Sequence, residues 1–258
     1  MNTENKDLLE PFSWTAFAIA IAVGIIKDLA GDYIKKTFLN SGINFDKIVK
    51  QSIEEICSYI DAKVDEAFLK QYISACEHLR KQLKYYADTK DVAVLMAAQI
   101  YASELVEDFK SYEIKGFGGL VIACNLHLLT LKALSEIPEK AEWRVPFEDT
   151  CKEYVVILEE ALNVYVELFK KTYSKTYINI ETSEYEMHVF HKGERVAACR
   201  YPGFGPCIEK AKKIVENAPN EHIPYIKCKE MIQTYKEFKV PIAYQNLLFN
   251  QNVIKYLN

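Results

Sequence analysis

The sequence lacks a long uncharged run, a paired-cysteine motif and an excess of basic residues, and each absence excludes a class of protein. The central uncharged run, Phe117–Leu131, spans roughly 22 Å as a helix, short of the roughly 20 residues that a bilayer core demands. A formal net charge of −4 argues against nucleic acid as a partner. Half of the 258 residues are apolar and about a quarter are charged, which is the composition of a globular chain with a sizeable core.

The seven cysteines lack any C-x-x-C spacing, and their odd number does not fit a complete set of disulfides. Free thiols in a chain made in a reducing cytoplasm are the simplest interpretation. Residues Met1–Glu10 carry three acids and one lysine, whereas a secretory signal begins with basic residues. We therefore expect no signal peptide, and release or storage as an inclusion by another route.

Gly118–Leu134 is the segment around which the rest of the chain is organised. It is apolar nearly all round, whereas the other helical segments carry a single apolar stripe. Such a pattern is typical of a helix that other helices surround, or of one that lies in lipid. The segment is connected through Lys115–Gly119, with Gly116, Gly118 and Gly119 in a tight loop, to the preceding helix. The two helices are therefore predicted to form an antiparallel hairpin.

Apolar residues at helical spacing predict the helices that surround this segment. The predicted helices cover residues 11–39, 45–67, 68–87, 92–114 and 146–173, with a charged linker at 135–145. No strand signal occurs before residue 174. The fold class is thus mainly α: a six- to seven-helix bundle around a central apolar helix.

The composition changes near Thr172, and the remaining residues predict a small α+β unit. Alternating segments predict strands at 176–182, 185–191 and 195–201, with a turn at 192–194. Two short helices follow, at 207–217 and 225–238. We therefore divide the chain into a bundle, 1–174, and a tail, 175–258. The bundle carries 20 Lys and Arg against 27 Asp and Glu, and the tail 12 against 9.

Two polar residues interrupt the apolar surface of the central helix. His127 lies among leucines, and we interpret it as a core histidine that a neighbouring helix satisfies. Asn125 is interpreted as a polar contact between helices. On the preceding helix, Glu104, Glu107 and Asp108 are most simply a solvated face.

The remaining motifs give no catalytic or metal site. His188, His191, Cys199, Cys207 and Cys228 suggest zinc by composition, but they lack paired ligand spacing. No residue pattern marks an activated thiol, and the glycines near Gly118 lack the ending of a phosphate-binding loop. We expect no enzyme activity, no metal and no cofactor.

The segment Asn125-Leu-His-Leu-Leu-Thr-Leu-Lys132 resembles the central, fifth helix in the N-terminal domain of the insecticidal crystal delta-endotoxins, the Cry family. That family carries an Asn-Leu-His-Leu core in an apolar helix that ends in a basic residue, here Lys132. Phe147, Cys151 and Tyr154 keep the spacing of an aromatic, a cysteine and an aromatic in the family's sixth helix. The order of helices is also similar, so that the resemblance covers about two thirds of the chain.

The resemblance implies a bacterial, insecticidal, pore-forming toxin that acts at the membrane of the host cell. The hairpin at about 92–134 would insert, and the protein would oligomerise into a cation-conducting pore. The resemblance also implies that Glu104, Glu107 and Asp108 line the lumen. The family's β-rich receptor-binding domains have no counterpart in these 258 residues, so a receptor or a second toxin component enters only as an expectation.

Two alternatives stay open at this point. The first is a water-soluble helical interaction protein whose C-terminal unit docks a protein partner, without membrane insertion. The second, an enzyme with its site in the tail, is the weakest because no catalytic set is present.

Overall fold

Eight α-helices and one antiparallel sheet make up the described part of the chain. A computed structural model describes residues 14–27, 44–181 and 184–237, without the side chains of 25–27 and 179–181. The helices are α1 (Trp14–Lys27), α2 (Phe45–Tyr59), α3 (Glu66–Thr89), α4 (Val92–Ser111), α5 (Phe117–Ser135), α6 (Arg144–Lys171), α7 (Phe204–Asn217) and α8 (Ile223–Lys236). The strands are β1 (Tyr173–Glu181), β2 (Glu184–His191) and β3 (Glu194–Pro202). Short 3₁₀ helices cover Glu113–Gly116, Pro138–Trp143 and Ala218–Glu221.

The bundle is built around α5, which packs against α1, α2, α4 and α6. Every residue of α5 except Lys132 is buried. The predicted fold class, mainly α with a central apolar helix and a small α+β unit, is therefore confirmed. Residues 11–13 and 28–39 of the predicted first helix lie outside the described residues.

Side-chain caps fix where three of the surrounding helices begin. The carboxylate or amide oxygens of Asn44, Asp65 and Asp91 accept hydrogen bonds from backbone N–H groups in the first turns of α2, α3 and α4. These caps satisfy donors that a helix start leaves without an intrahelical partner.

Two predicted boundaries are wrong. Helix α2 ends at Tyr59 instead of continuing to Ala67, because Asp61 takes a left-handed conformation with φ of 54°. Ile60 and Val64 still pack against the core, from a loop and not from a helix, which explains the extended apolar stripe. The linker at 135–145 contains the 3₁₀ helix Pro138–Trp143 and the start of α6.

The three strands form a meander in the order β1–β2–β3. Thr176 pairs with His188, and Met187 pairs with Cys199. The two-residue turn Lys192–Gly193 has positive φ at both positions, which matches the twist of a hairpin. Helix α7 covers one face of the sheet, and together they enclose a second, small core of Met187, Val189, Cys207, Ala211 and Val215.

Helix α8 does not belong to that second core. Its residues Cys228, Met231, Ile232 and Tyr235 are part of the core of the bundle. The helix packs against α1 and α6. The sequence interpretation placed 225–238 in the tail, because its position after the sheet gave no sign that the chain returns to the bundle. The α+β unit of the structure is thus smaller than predicted.

Candidate functional site

The central helix and its connection form the one apolar segment of the described residues that is also long enough to be a candidate membrane span. Glu113–Ser135 is long and apolar enough to cross a membrane by length and composition, and 94% of its most apolar stretch is buried inside the fold. A buried core helix of a water-soluble protein has the same properties, so hydropathy alone does not separate the two functions.

Helices α4 and α5 run antiparallel, as predicted. Gln99 on α4 is hydrogen-bonded to His127 on α5, and farther along the pair the ring of Phe109 lies over Gly119. Residue numbers increase along α4 from Gln99 to Phe109 while those of the contacted α5 residues decrease from His127 to Gly119, so the two helices run in opposite directions. The connection between them is the 3₁₀ helix Glu113–Gly116.

The glycines of the predicted hairpin loop have a different place and role. Gly116 ends the 3₁₀ helix, whereas Gly118 and Gly119 lie inside the first turn of α5. A Cβ atom on Gly118 would overlap the backbone oxygen of Ser52 on α2. A Cβ atom on Gly119 would overlap the ring of Phe109. These two residues therefore permit helices to approach each other closely, and assigning them to the loop was wrong.

His127 has partners on both sides of its ring. The side-chain amide of Gln99 donates to Nε2 at 2.9 Å, which leaves the proton of a neutral ring on Nδ1. Nδ1 then donates to the hydroxyl of Tyr154 on α6. The interpretation of His127 as a satisfied core histidine is confirmed. Tyr154, one of the two aromatic residues of the motif in α6, therefore faces the central helix.

Asn125 joins α5 to α8. Its amide donates to the carbonyl of Val121, at 2.8 Å, and contacts the sulfur of Met231, at 3.2 Å. Its Oδ1 accepts a hydrogen bond from the hydroxyl of Tyr235 at 2.7 Å. The predicted contact between helices is thus present, but the partner helix is one that the sequence did not place in the bundle. Lys132, at the other end of α5, forms an ion pair with Glu136.

The three acids of α4 lie together on its exposed side. Glu107 forms an ion pair with Lys110 at 2.7 Å. Glu104 and Asp108 have no ion pair within the described residues. Their exposure agrees with a solvated face. Lumen lining stays a prediction.

An aromatic and histidine cluster connects the bundle to the sheet, and the sequence did not indicate it. The ring of His222 lies 4.1 Å from that of Tyr59 and 4.5 Å from that of Phe169, between centroids. His191 stacks on Tyr173 at 4.4 Å. Burial lowers the pKa of His222 to about 4, and the nearby His191 and Lys192 add to the shift. The sequence feature that could have indicated this cluster is the aromatic residue near the end of each helix, Tyr59 in α2 and Phe169 in α6.

The candidate zinc ligands do not come together. Within 14–27, 44–181 and 184–237, no three His, Cys, Asp or Glu side chains are grouped to hold a metal ion. His188 pairs with Glu186 at 2.8 Å, and Cys207 contacts the carbonyl of Tyr185 in the small core. Cys228 lies in the bundle, where burial raises the pKa of its thiol to about 12.

No protein-family model, no curated protein and no solved structure matches this chain. The resemblance to the delta-endotoxin helices therefore depends on the residues of α5 and α6 and on the order of the helices.

Proposed function

We propose that the protein is a bacterial, insecticidal pore-forming toxin, similar in mechanism to the helical domain of the delta-endotoxins. The hairpin of α4 and α5 enters the membrane of the host cell, and several copies assemble into a cation-conducting pore. The chain is made in the bacterial cytoplasm and is released or stored as an inclusion. A receptor or second component directs it to its target.

The observation that supports this proposal is that the hairpin contains partners for its own polar groups. His127 is hydrogen-bonded to Gln99 inside the hairpin. Asn125 and Thr130 bond to carbonyls of α5 itself. A segment that enters lipid must satisfy its polar groups internally, because the bilayer core offers no water. Each of these three buried residues keeps one hydrogen-bond partner inside the hairpin, whereas the second partners of His127 and Asn125 lie on α6 and α8.

Few polar contacts hold α5 to helices outside the hairpin. The hydroxyl of Tyr154 on α6 contacts His127, and the hydroxyl of Tyr235 on α8 contacts Asn125. The amide of Asn125 also contacts the sulfur of Met231 on α8. Arg144 on α6 donates to the carbonyl of Ser135 at 3.4 Å. Most of the other contacts of α5 are between apolar side chains, which lipid can replace at little cost but water cannot. Release of the hairpin therefore depends on a membrane and on the departure of α6 and α8.

The first experiment measures dye release from liposomes, with and without protease treatment and across pH, followed by conductance in a planar bilayer. We expect release with discrete cation-selective steps. Removal of the chain beyond residue 174 takes α8 away from the bundle core, so proteolysis should increase release. A protein that stays soluble and releases no dye under any condition contradicts the proposal.

A second experiment locates the inserted segment. An environment-sensitive fluorophore on Ser111→Cys reports on the tip of the hairpin, and the same label on Asp88→Cys, in the last turn of α3, reports on the chain just before the opposite end of α4; both positions are exposed. Cys199, the half-buried native thiol, is changed to Ser in both variants. We expect a blue shift with vesicles for Ser111→Cys only. Equal spectra at both positions would contradict insertion of this hairpin.

A second candidate function, docking of a protein partner by the tail, is favoured by one observation. Five large apolar side chains are exposed on residues 173–223, a short part of the described chain: Ile178, Val196, Phe204, Ile208 and Ile223. Exposed apolar side chains mark an interaction surface when they form one continuous patch, so this function requires the five to act together. If docking by the tail is the function, α5 never leaves the bundle, and the fluorophore on Ser111→Cys shows no blue shift with vesicles under any condition.

A further inference from the structure

A pocket of about 460 Å³ lies where the bundle meets the sheet and α7. This volume is within the range of small-molecule sites, which often form where two packed units meet. Its lining comes from α2, α6, one residue of each strand, α7, the 3₁₀ helix that follows it and His222. None of the residues that line this pocket belongs to the hairpin of α4 and α5.

Aromatic rings form the inner surface of the pocket. Tyr59, Phe169 and His222 come from the bundle side, and Tyr173 and His191 come from the sheet. The rings contact one another, so that the surface is held in place before any ligand binds. Nε2 of His191 is buried without a hydrogen-bond partner in the described structure, an uncommon state for a ring nitrogen.

Positive charge dominates the rim of the pocket. Lys210 and Lys213 lie one turn apart on α7, and neither forms an ion pair with a described residue. By contrast, Lys212 between them faces away from the pocket and pairs with Glu216 at 3.8 Å. Glu221 is the one acid among the lining residues, so that two lysines face one carboxylate.

Further hydrogen-bond donors accompany the lysines in the lining of the pocket. The two lysines carry donors only, and the amide of Asn217 and the hydroxyls of Tyr59 and Tyr173 add further donors. A ligand that complements this set presents acceptor oxygens and negative charge. The aromatic rings of the inner surface complement a flat, apolar part of the ligand, such as an aromatic ring.

We propose that this pocket binds a small ligand that carries an anionic group on an aromatic ring. The anion lies between Lys210 and Lys213, and the ring contacts the aromatic surface around Phe169. Because the pocket includes both the bundle and the sheet, the bound ligand also holds the two together. This site is independent of pore formation.

Calorimetric titration with three probes tests the proposal. Phenyl phosphate has both the ring and the charge, benzyl alcohol has the ring without the charge, and inorganic phosphate has the charge without the ring. We expect phenyl phosphate to bind at least about tenfold more tightly than either of the other probes, because each part adds binding free energy. Equal binding of inorganic phosphate and phenyl phosphate, or absence of phenyl phosphate binding at about 10 mM, would overturn the proposal.

Matched variants identify the site. Lys210→Ala/Lys213→Ala should weaken phenyl phosphate binding at least about tenfold, since two charge-assisted contacts are lost. Lys212→Ala removes the same charge one position away and should leave binding unchanged. Val196→Trp, at an exposed position that lines the pocket, should block binding by filling it. Full binding by both the double variant and Val196→Trp would place the ligand elsewhere and overturn the assignment.

Discussion

The bundle around α5 and the unit of sheet and α7 differ in how completely they bury their central element. Helix α5 is buried on all sides, and its polar residues are hydrogen-bonded. The sheet is covered on one face by α7, over a core of five buried residues. Since buried apolar area is the main source of stability, the bundle holds most of the folding free energy. The sheet unit depends on its attachment.

Two features attach the sheet unit to the bundle. The β2–β3 turn is fixed by Lys192, whose ammonium donates to the carbonyl of Ser58 and lies 3.7 Å from Asp61. Helix α8 then returns to the bundle core after the sheet and α7. We call these attachments, together with the aromatic and histidine cluster around His222, the junction. A change at the junction should release the sheet unit first, whereas a change at α5 should unfold both the bundle and the sheet unit.

The sharpest test of this comparison substitutes one glycine in each region. Gly118→Ala should destabilise the protein by about 3 kcal/mol, because the added Cβ meets the backbone of α2 at Ser52, which cannot move aside as a side chain can. Gly205→Ala, in the first turn of α7, meets no atom within 4 Å and should change stability by less than about 0.5 kcal/mol. Unfolding in urea measures both.

If the two glycine variants are equally stable, α5 is not packed against α2 closely enough at Gly118 to exclude a Cβ atom. If Gly205→Ala is the more damaging change, the relation between the two regions is reversed. The m-value should be the same in both variants, because neither change alters the surface exposed on unfolding.

The sequence predicted the bundle better than the junction, for a physical reason. The all-round apolar pattern of α5 and the single stripes of its neighbours depend on local periodicity, which the sequence displays directly. The return of α8 to the bundle depends on packing between residues far apart in the chain, such as Tyr235 with Asn125. The end of α2 depends on a left-handed Asp61, a conformation that its residue type permits but does not demand.

The candidate sites follow the same pattern. His127 and Asn125 were recognised because polar residues stand out in an apolar helix. The pocket was missed, since its lining residues are spread from Tyr59 to His222 and none forms a local motif.

Acidification should weaken both the junction, through His222, and the bundle interior, through His127, because burial lowers the pKa of each ring to about 4. The pKa of His222 is lowered from 6.5 in the unfolded chain to about 4 in the folded protein by burial, then by His191 and Lys192. The unfolded chain therefore takes up the proton first as the pH falls below about 6.5, and stability is lost until about pH 4. We expect a loss of about 2 kcal/mol between pH 7 and pH 4.5, after a reduction for solvent at the open rim.

The variant His222→Phe keeps an aromatic ring and removes the titration. Urea unfolding of this variant should show a smaller loss between pH 7 and pH 4.5 than the wild type shows. An equal loss in both proteins would assign the acid sensitivity to other groups, among them His127 in the bundle interior.

A smaller effect tests whether α8 joins the two regions. Tyr235→Phe removes the hydrogen bond to Oδ1 of Asn125 and leaves a buried acceptor, at a cost of about 1.5 kcal/mol. Tyr225→Phe on the same helix is the control, because its ring is half-buried and no described partner accepts from its hydroxyl. Amide hydrogen exchange in 117–135 should become faster in Tyr235→Phe and stay unchanged in Tyr225→Phe. Exchange that increases only in the sheet would show that α8 does not protect the central helix.

The smallest expected effect on stability concerns the acids of α4, and it separates stability from function. Glu104→Ala/Asp108→Ala removes two exposed carboxylates without a described ion pair, so the free energy of unfolding should change by less than about 0.5 kcal/mol. If the hairpin forms a pore with these residues in its lumen, the preference for cations must fall, because the lumen loses negative charge. The reversal potential in a salt gradient measures this preference. Glu153→Ala/Glu160→Ala removes the same charge from exposed positions of α6 and should leave the potential unchanged. An unchanged potential in the α4 variant would remove these acids from the lumen, and an equal shift in both variants would indicate a surface-charge effect on either helix.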